Sequence, residues 1–243
     1  SQKTLEIKTT LGDFLDEIGK SLYTNFFISK KMKIDLNFEE YNSILKSRKI
    51  ALDLGIMLNE NNPWTDGQIY LDKQKFSIDI KIRGSHPSNW RDKDKMGYKI
   101  RLKQDQRYNG IKEFSIQHPS QREYIGEYLF MKILQYEGLI YSRSNFYNLI
   151  INGDNHGLYF FQESLSKEMI ENNKKRETVI IGFNKEAHLE KYSKNFASNE
   201  NYKDIQITDG FLISQIDLSN SGRNYSENKK KIFTKTFMML NDF

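Results

Sequence analysis

Two hydrophobic rhythms alternate along this chain, and each change of rhythm marks a structural element. A period of two governs residues 76–84, FSIDIKIRG, where Ile78, Ile80 and Ile82 share one face and Asp79, Lys81 and Arg83 the other. The run GYKIRLKQ, residues 97–104, repeats it with Tyr98, Ile100 and Leu102 against Lys99, Arg101 and Lys103. Joined by SHPSNWRDKDKM, the two runs predict a sheet with one buried face and one strongly cationic face. A third strand, NFYNLII, runs into Asn152-Gly153-Asp154-Asn155, and a fourth, GLYFFQE, leaves it. Asn-Gly between β-prone runs signals a hairpin, because both residues tolerate the positive φ of a tight turn.

The helical rhythm appears elsewhere. Asn37 is placed to cap a helix over 38–54, with Glu40 three residues on, apolar Tyr41, Ile44, Leu45, Ala51, Leu52 and Leu54, and Gly55 as the stop. In PSQREYIGEYLFMKILQYEG, residues 119–138, Ser120 and Glu123 form an S-x-x-E capping box. Ile125, Leu129, Phe130, Ile133 and Leu134 make an apolar stripe there, and Gly138 ends it. A polar helix near 164–173 and a short strand, TVIIGF, follow. The last periodic segment, SENKKKIFTKTFMMLNDF, carries Ile232, Phe233, Phe237, Met238 and Leu240 at helical spacing; so much apolar surface must pack on this domain, on a partner or on further chain.

Composition narrows the classes. A chain of 243 residues can bury a proper core, and 16 Phe and 14 Tyr supply bulky core material despite an apolar fraction of 37%. No cysteine is present, which excludes disulfides, thiolate metal sites and a cysteine nucleophile. The net charge of +5 is too mild to point to nucleic acid or membrane. No apolar run reaches the length of a transmembrane span, and a start at Ser1 rather than Met reads as trimmed, leaving any upstream signal or anchor out of view. His86, His118, His156 and His188 lack metal-ligand spacing. Few prolines and no repeat or linker suggest one continuous unit, residues 37–243, behind an N-terminal extension of 1–36.

The order strand, strand, capped helix, hairpin is that of a protein-kinase small lobe. The residues go further: IKIRGSHPSNWRDKDKMGYKIRLK, GIKEFSIQHPSQREYIGEYLFMKILQYEGLI, SRSNFYNLIINGDNHGLYFFQE and IENNKKRETVIIGFNK together resemble the spore-coat protein H (CotH) kinase family. They are similar in particular to its bacterial, envelope-associated members with an NGxxxGxYxxxE hairpin and an ENNxRRExPII tail. The resemblance implies an α+β, atypical protein-kinase-like fold, with a mainly antiparallel small-lobe sheet, a packed helix and a C-terminal lobe largely absent. It further implies ATP and magnesium as cofactors, a protein substrate or partner rather than a specific nucleic acid, and an envelope or extracytoplasmic location.

By that resemblance Lys95, in Lys95-Met96-Gly97-Tyr98-Lys99, is the choice for the phosphate-contacting lysine, with Lys99 in reserve. Glu127 would orient it, Arg122 would serve the phosphates or cap local structure, and Glu163 would stand at the mouth of the adenine pocket. Each position has a plainer reading beside it. Lys95 and Lys99 fit a solvated sheet face, Glu127 an exposed pair with Arg122 or Lys132, and Glu163 the cap of the helix that follows it. Gly84 with Ser85 and Ser88 falls short of a glycine-rich loop, and TDGF at 208–211 is rejected as a metal motif because it comes too early, lacks a partner asparagine upstream and fits a turn equally well. The magnesium ligands of the family are expected after the helix matched by FTKTFMMLNDF, so this chain alone is expected to be inactive. The competing class is a non-catalytic module that offers its basic sheet face to a polyanion or its C-terminal apolar helix to a protein.

Overall fold

The computed structural model describes residues 30–84 and 86–175; the strand expected at 178–183 and the terminal helix lie outside these described residues. The fold is α+β with a mainly antiparallel sheet, as expected. Its elements are β1 (Lys30–Asp35), α1 (Phe38–Leu54), β2 (Thr65–Leu71), β3 (Gln74–Ile82), β4 (Tyr98–Leu102) and β5 (Glu113–Gln117). After these come α2 (Gly126–Tyr136), β6 (Ser144–Ile151), β7 (Asp154–Glu163) and α3 (Lys167–Asn172). Among the described residues no helix is long and apolar enough to cross a membrane.

The strands close into a barrel in the order β1-β2-β3-β4-β5-β7-β6. Alternation explains the closure. Met32 and Ile34 of β1 are fully buried while Lys31 and Lys33 face solvent, so β1 presents one apolar side that only an interior can hide. It pairs antiparallel with β2 and parallel with β6, leaving no open edge. Among the described residues the barrel thus takes in Lys30–Asp35, ahead of the boundary expected at 37. Ile78, Ile80 and Ile82 face Leu102, Ile100 and Tyr98 across the β3/β4 ladder, and the interior is filled by these side chains together with Ile69, Leu71, Phe114, Ile116 and Leu149. A barrel of about this strand number is just wide enough for side chains to fill it, so a ligand must bind outside.

Two local signals act as the sequence suggests. Asn37 accepts the Glu40 amide at 2.9 Å and Gly55 ends α1 at φ 74°. At the hairpin, Asn152 takes φ 51°, its side chain accepts the Leu36 amide at 2.7 Å, and its own amide donates to Ile34 at 2.9 Å. The β6–β7 turn thus also ties down the end of β1.

Three expectations need correction. Ser120 and Glu123 do not form a capping box: the Ser120 hydroxyl is 2.7 Å from His118 Nδ1, residues 119–122 form a 3₁₀ turn, and Glu123 and Tyr124 take φ of 52° and 59°. The α-helix starts only at Gly126. The apolar stripe of α2 is its packed face only in part: Ile125 and Leu129 pack with Tyr128 against Phe146 and Phe160, whereas Phe130 and Ile133 are about half exposed. Finally, the cationic sheet face is largely neutralised by interleaved carboxylates. Asp79 pairs with Arg101 at 3.1 Å and Lys103 at 3.2 Å, and Glu113 pairs with Lys99 at 2.8 Å.

Asn152→Ala loses both the Leu36 contact and easy access to positive φ, and is expected to cost about 1–3 kcal/mol. Asn152→Gly keeps the backbone conformation and should cost less. Urea unfolding of the two variants checks this, and equal losses would contradict the double role.

Candidate functional site

Register on the outer face of the sheet assembles the site. Lys81, Lys99, Ser115 and Gln162 lie in one row across β3, β4, β5 and β7. Arg83 and Gln117 extend that face toward α2. Glu127, in the first turn of α2, accepts a hydrogen bond from Gln162 Nε2 at 2.8 Å and lies 3.8 Å from Arg122. Arg122 and Glu127 are thus brought together, on the same face as Lys99.

The bend before α2 aims Arg122. His118, Pro119 and Ser120 fold a tight turn in which His118 Nδ1 accepts the Ser120 amide at 3.3 Å, and the left-handed pair Glu123-Tyr124 then redirects the chain. The same tripeptide, His86-Pro87-Ser88, makes the same capped turn in the β3–β4 connection, with Nδ1 to Oγ at 2.8 Å. Gln121 joins the two turns, donating to the carbonyls of Ser88 and Lys95. Gly97 permits this approach, because a Cβ there would sit 2.6 Å from Asn89 Oδ1 and 3.3 Å from Gln121 Oε1.

At the centre, Arg83 and Arg122 both donate to one atom, the amide oxygen of Gln117, Arg122 from 3.1 Å. Gln117 is 1% exposed, and its Nε2 has no partner. Burial, and next the neighbouring Arg122, depress the Arg83 guanidinium to about 10, with Glu127 acting in the opposite sense. At the cluster itself two guanidinium groups meet one carboxylate, Glu127, with a buried N–H donor unused, while Glu123 adds a second carboxylate on the wall of the adjoining cleft. A cleft of about 370 Å³ opens beside it, lined by Gln121, Arg122, Glu123, Gly126, Glu127 and Phe130. Phosphate, with its ring of acceptor oxygens and negative charge, fits this donor set. Among the described residues no cluster of His, Asp and Glu has metal-holding geometry.

The remaining expected site residues lie elsewhere. Lys95 sits in the β3–β4 connection with its Nζ 3.5 Å from Asp92, so the partners of Glu127 are Gln162 and Arg122. Glu163 falls on the opposite side of the sheet, opposite Phe114 in the ladder, 2% exposed and gripped by Arg143 Nε and Nη2 at 2.8 and 2.7 Å. The cap of α3 is Ser166. Sequence reasoning missed Arg83, Gln117, Gln121 and Gln162. The repeated His-Pro-Ser was the one signal available for this corner.

The family model described as CotH kinase protein matches residues 80–240, a span that takes in β4, β5, α2 and the whole outer-face cluster. A search of curated proteins finds no match.

His86 and His118 are both pushed below their ordinary value near 6.5, by burial first and then by neighbouring cations, Arg122 for His86 and Lys95 for His118. A depressed histidine favours its neutral form in the folded state, so stability is lost as pH falls through 6.5 toward the folded value. Protonated Nδ1 also cannot accept the Ser amide. Thermal unfolding at about pH 7.5 and about pH 5.5 should show a loss on acidification that shrinks in the H86N/H118N double variant, whose Asn side chains still cap. An undiminished loss would show that other groups set the acid sensitivity.

Proposed function

The chain belongs to the CotH kinase protein family, and from that premise we propose that its described residues build the nucleotide-phosphate side of an ATP-dependent protein kinase. Kinase-like function holds at the family level; the assignment of ATP to this cluster is the further step. The observation that carries it is the Arg83–Gln117–Arg122 arrangement, two partly buried cations converging on one amide and an unused donor beside a cleft. The order β3, β4, β5, α2, β6, β7 supports the reading, since it is the order of a kinase small lobe with a helix carboxylate turned toward the sheet.

In this reading Arg83, Arg122 and Gln117 Nε2 bind phosphate oxygens, and Glu127 holds Arg122 in place. Lys99, on the same face, can exchange Glu113 for a phosphate by a side-chain rotation, and Lys95 approaches from the β3–β4 connection. Glu163 acts by position: with Arg143 it fixes the end of β7 that carries Gln162. When bound, ATP supplies a γ-phosphoryl group to a protein hydroxyl, with ADP leaving. Magnesium ligands come from outside the described residues, and an envelope location remains part of the proposal through the resemblance alone. The ion pairs of Asp79, Asp66 and Glu113 weigh against the alternative of a polyanion laid on the sheet.

Calorimetric titration of the purified chain with ATP, ADP and adenosine tests the reading. Removing one charge-assisted phosphate contact is worth about 1.5–3 kcal/mol, so Arg122→Ala and Arg83→Ala should each weaken ATP binding roughly tenfold or more while leaving adenosine unaffected. ATP affinity unchanged in both folded variants would refute the phosphate role.

A further inference from the structure

Helix α2 is apolar on two sides. Tyr128 packs with Phe146 and Phe160 against the outer face of the barrel. Phe130 and Ile133, on the far side of the helix, are 53% and 45% exposed, and Leu139 and Ile140 just beyond its end extend the same apolar surface at 55% and 45%. An exposed apolar patch of this kind beside a packed helix face marks an interaction surface.

We propose that residues 231–240 of this same chain dock as an amphipathic helix across Phe130, Ile133, Leu139 and Ile140. In KIFTKTFMML, Ile232, Phe233, Phe237 and Leu240 fall within one helical face, whereas Lys231, Thr234 and Lys235 fall on the other. The described chain leaves the barrel at the right place. Asn173, just past α3, accepts the Tyr141 amide at 3.1 Å and donates to the Tyr141 carbonyl at 2.9 Å, so the chain departs next to Ile140. At roughly 3.3 Å per extended residue the stretch 176–230 can span any path between the two. Charge agrees at the two ends of the helix: Glu123 precedes α2 and Glu137 follows it, and Lys229, Lys230, Lys231 and Lys235 accompany the segment. The family match over 80–240 includes both partners in one unit. Tethering supplies a local concentration on the order of millimolar, which favours this segment over a second copy of the chain at ordinary concentrations.

The chain has no native cysteine, so engineered pairs report cleanly. In the full chain, Ile133→Cys is combined in turn with cysteine at 233, 235, 237 or 240 and oxidised mildly; Lys73→Cys, in the β2–β3 turn, replaces Ile133→Cys as the control. Docking is expected to give an intramolecular disulfide at 233, 237 and 240, at least about fivefold above both the control and position 235, independent of protein concentration. Bonds formed only between two chains, or none above the control, would overturn the proposal. A second readout needs no particular sulfur geometry. Phe233→Asp/Phe237→Asp in the full chain should raise amide exchange across 126–140 at least about tenfold, and unchanged exchange there would also overturn it. Neither measurement depends on nucleotide, so its result is separate from that of the kinase assignment.

Discussion

The parallel pairing of β1 with β6 is the constraint on which the rest of the molecule depends. Without it, β1 and β6 would present unpaired edges, and the interior that Met32 and Ile34 fill would open. With it, the sheet closes on itself and its inner face becomes a solid apolar core. Apart from Glu163, held by Arg143 on the inner side, the polar groups of the site are thereby displaced to the outer face, where β3, β4, β5 and β7 offer alternate side chains and where α2 finds its seat on Phe146 and Phe160. The hairpin turn shares in the closure, because Asn152 binds the backbone at both ends of the β1 exit.

On that outer face the electrostatics divide into two regions. Over most of the sheet, cations and carboxylates alternate closely enough to neutralise one another, an arrangement that costs little and contributes little. Near α2 the balance fails. Arg83 is partly buried, its charge is disfavoured by its surroundings, and its hydrogen-bond partner Gln117 is shared with a second arginine. Burying cations without full compensation costs stability, and such cost is typical of a site prepared for a ligand of opposite charge. An anion in the cleft would supply what the cluster lacks. Helix α2 therefore has three tasks: Tyr128 anchors it, Glu127 positions Arg122, and its far side offers an apolar surface to further chain.

Much of the fold was legible because its causes are local. Asn37, Gly55 and the Asn-Gly turn act within a few residues, and the alternating isoleucines of β3 need only a partner of the same rhythm. The capping box failed for an equally local reason, since His118 takes the Ser120 hydroxyl before the helix can use it. The site was less legible because its contacts join distant positions: Arg83 meets Gln117 across 34 residues, through a backbone bend that no propensity announces. The direction of Glu163 could have been read. It shares parity with the buried Tyr159 and Phe161, whereas Gln162 shares the face of Ser115, so alternation alone separates Glu163 from Glu127.

The most direct test of the central claim watches the two arginines themselves. The ¹⁵Nε–¹H resonances of Arg83 and Arg122, assigned through the R83K and R122K variants, would be followed while the folded chain is titrated with ADP. If the cluster holds the phosphates, both signals move together along one saturating curve. If ADP saturates the protein and both stay still, or if ADP does not bind, the cluster is not a nucleotide-phosphate site.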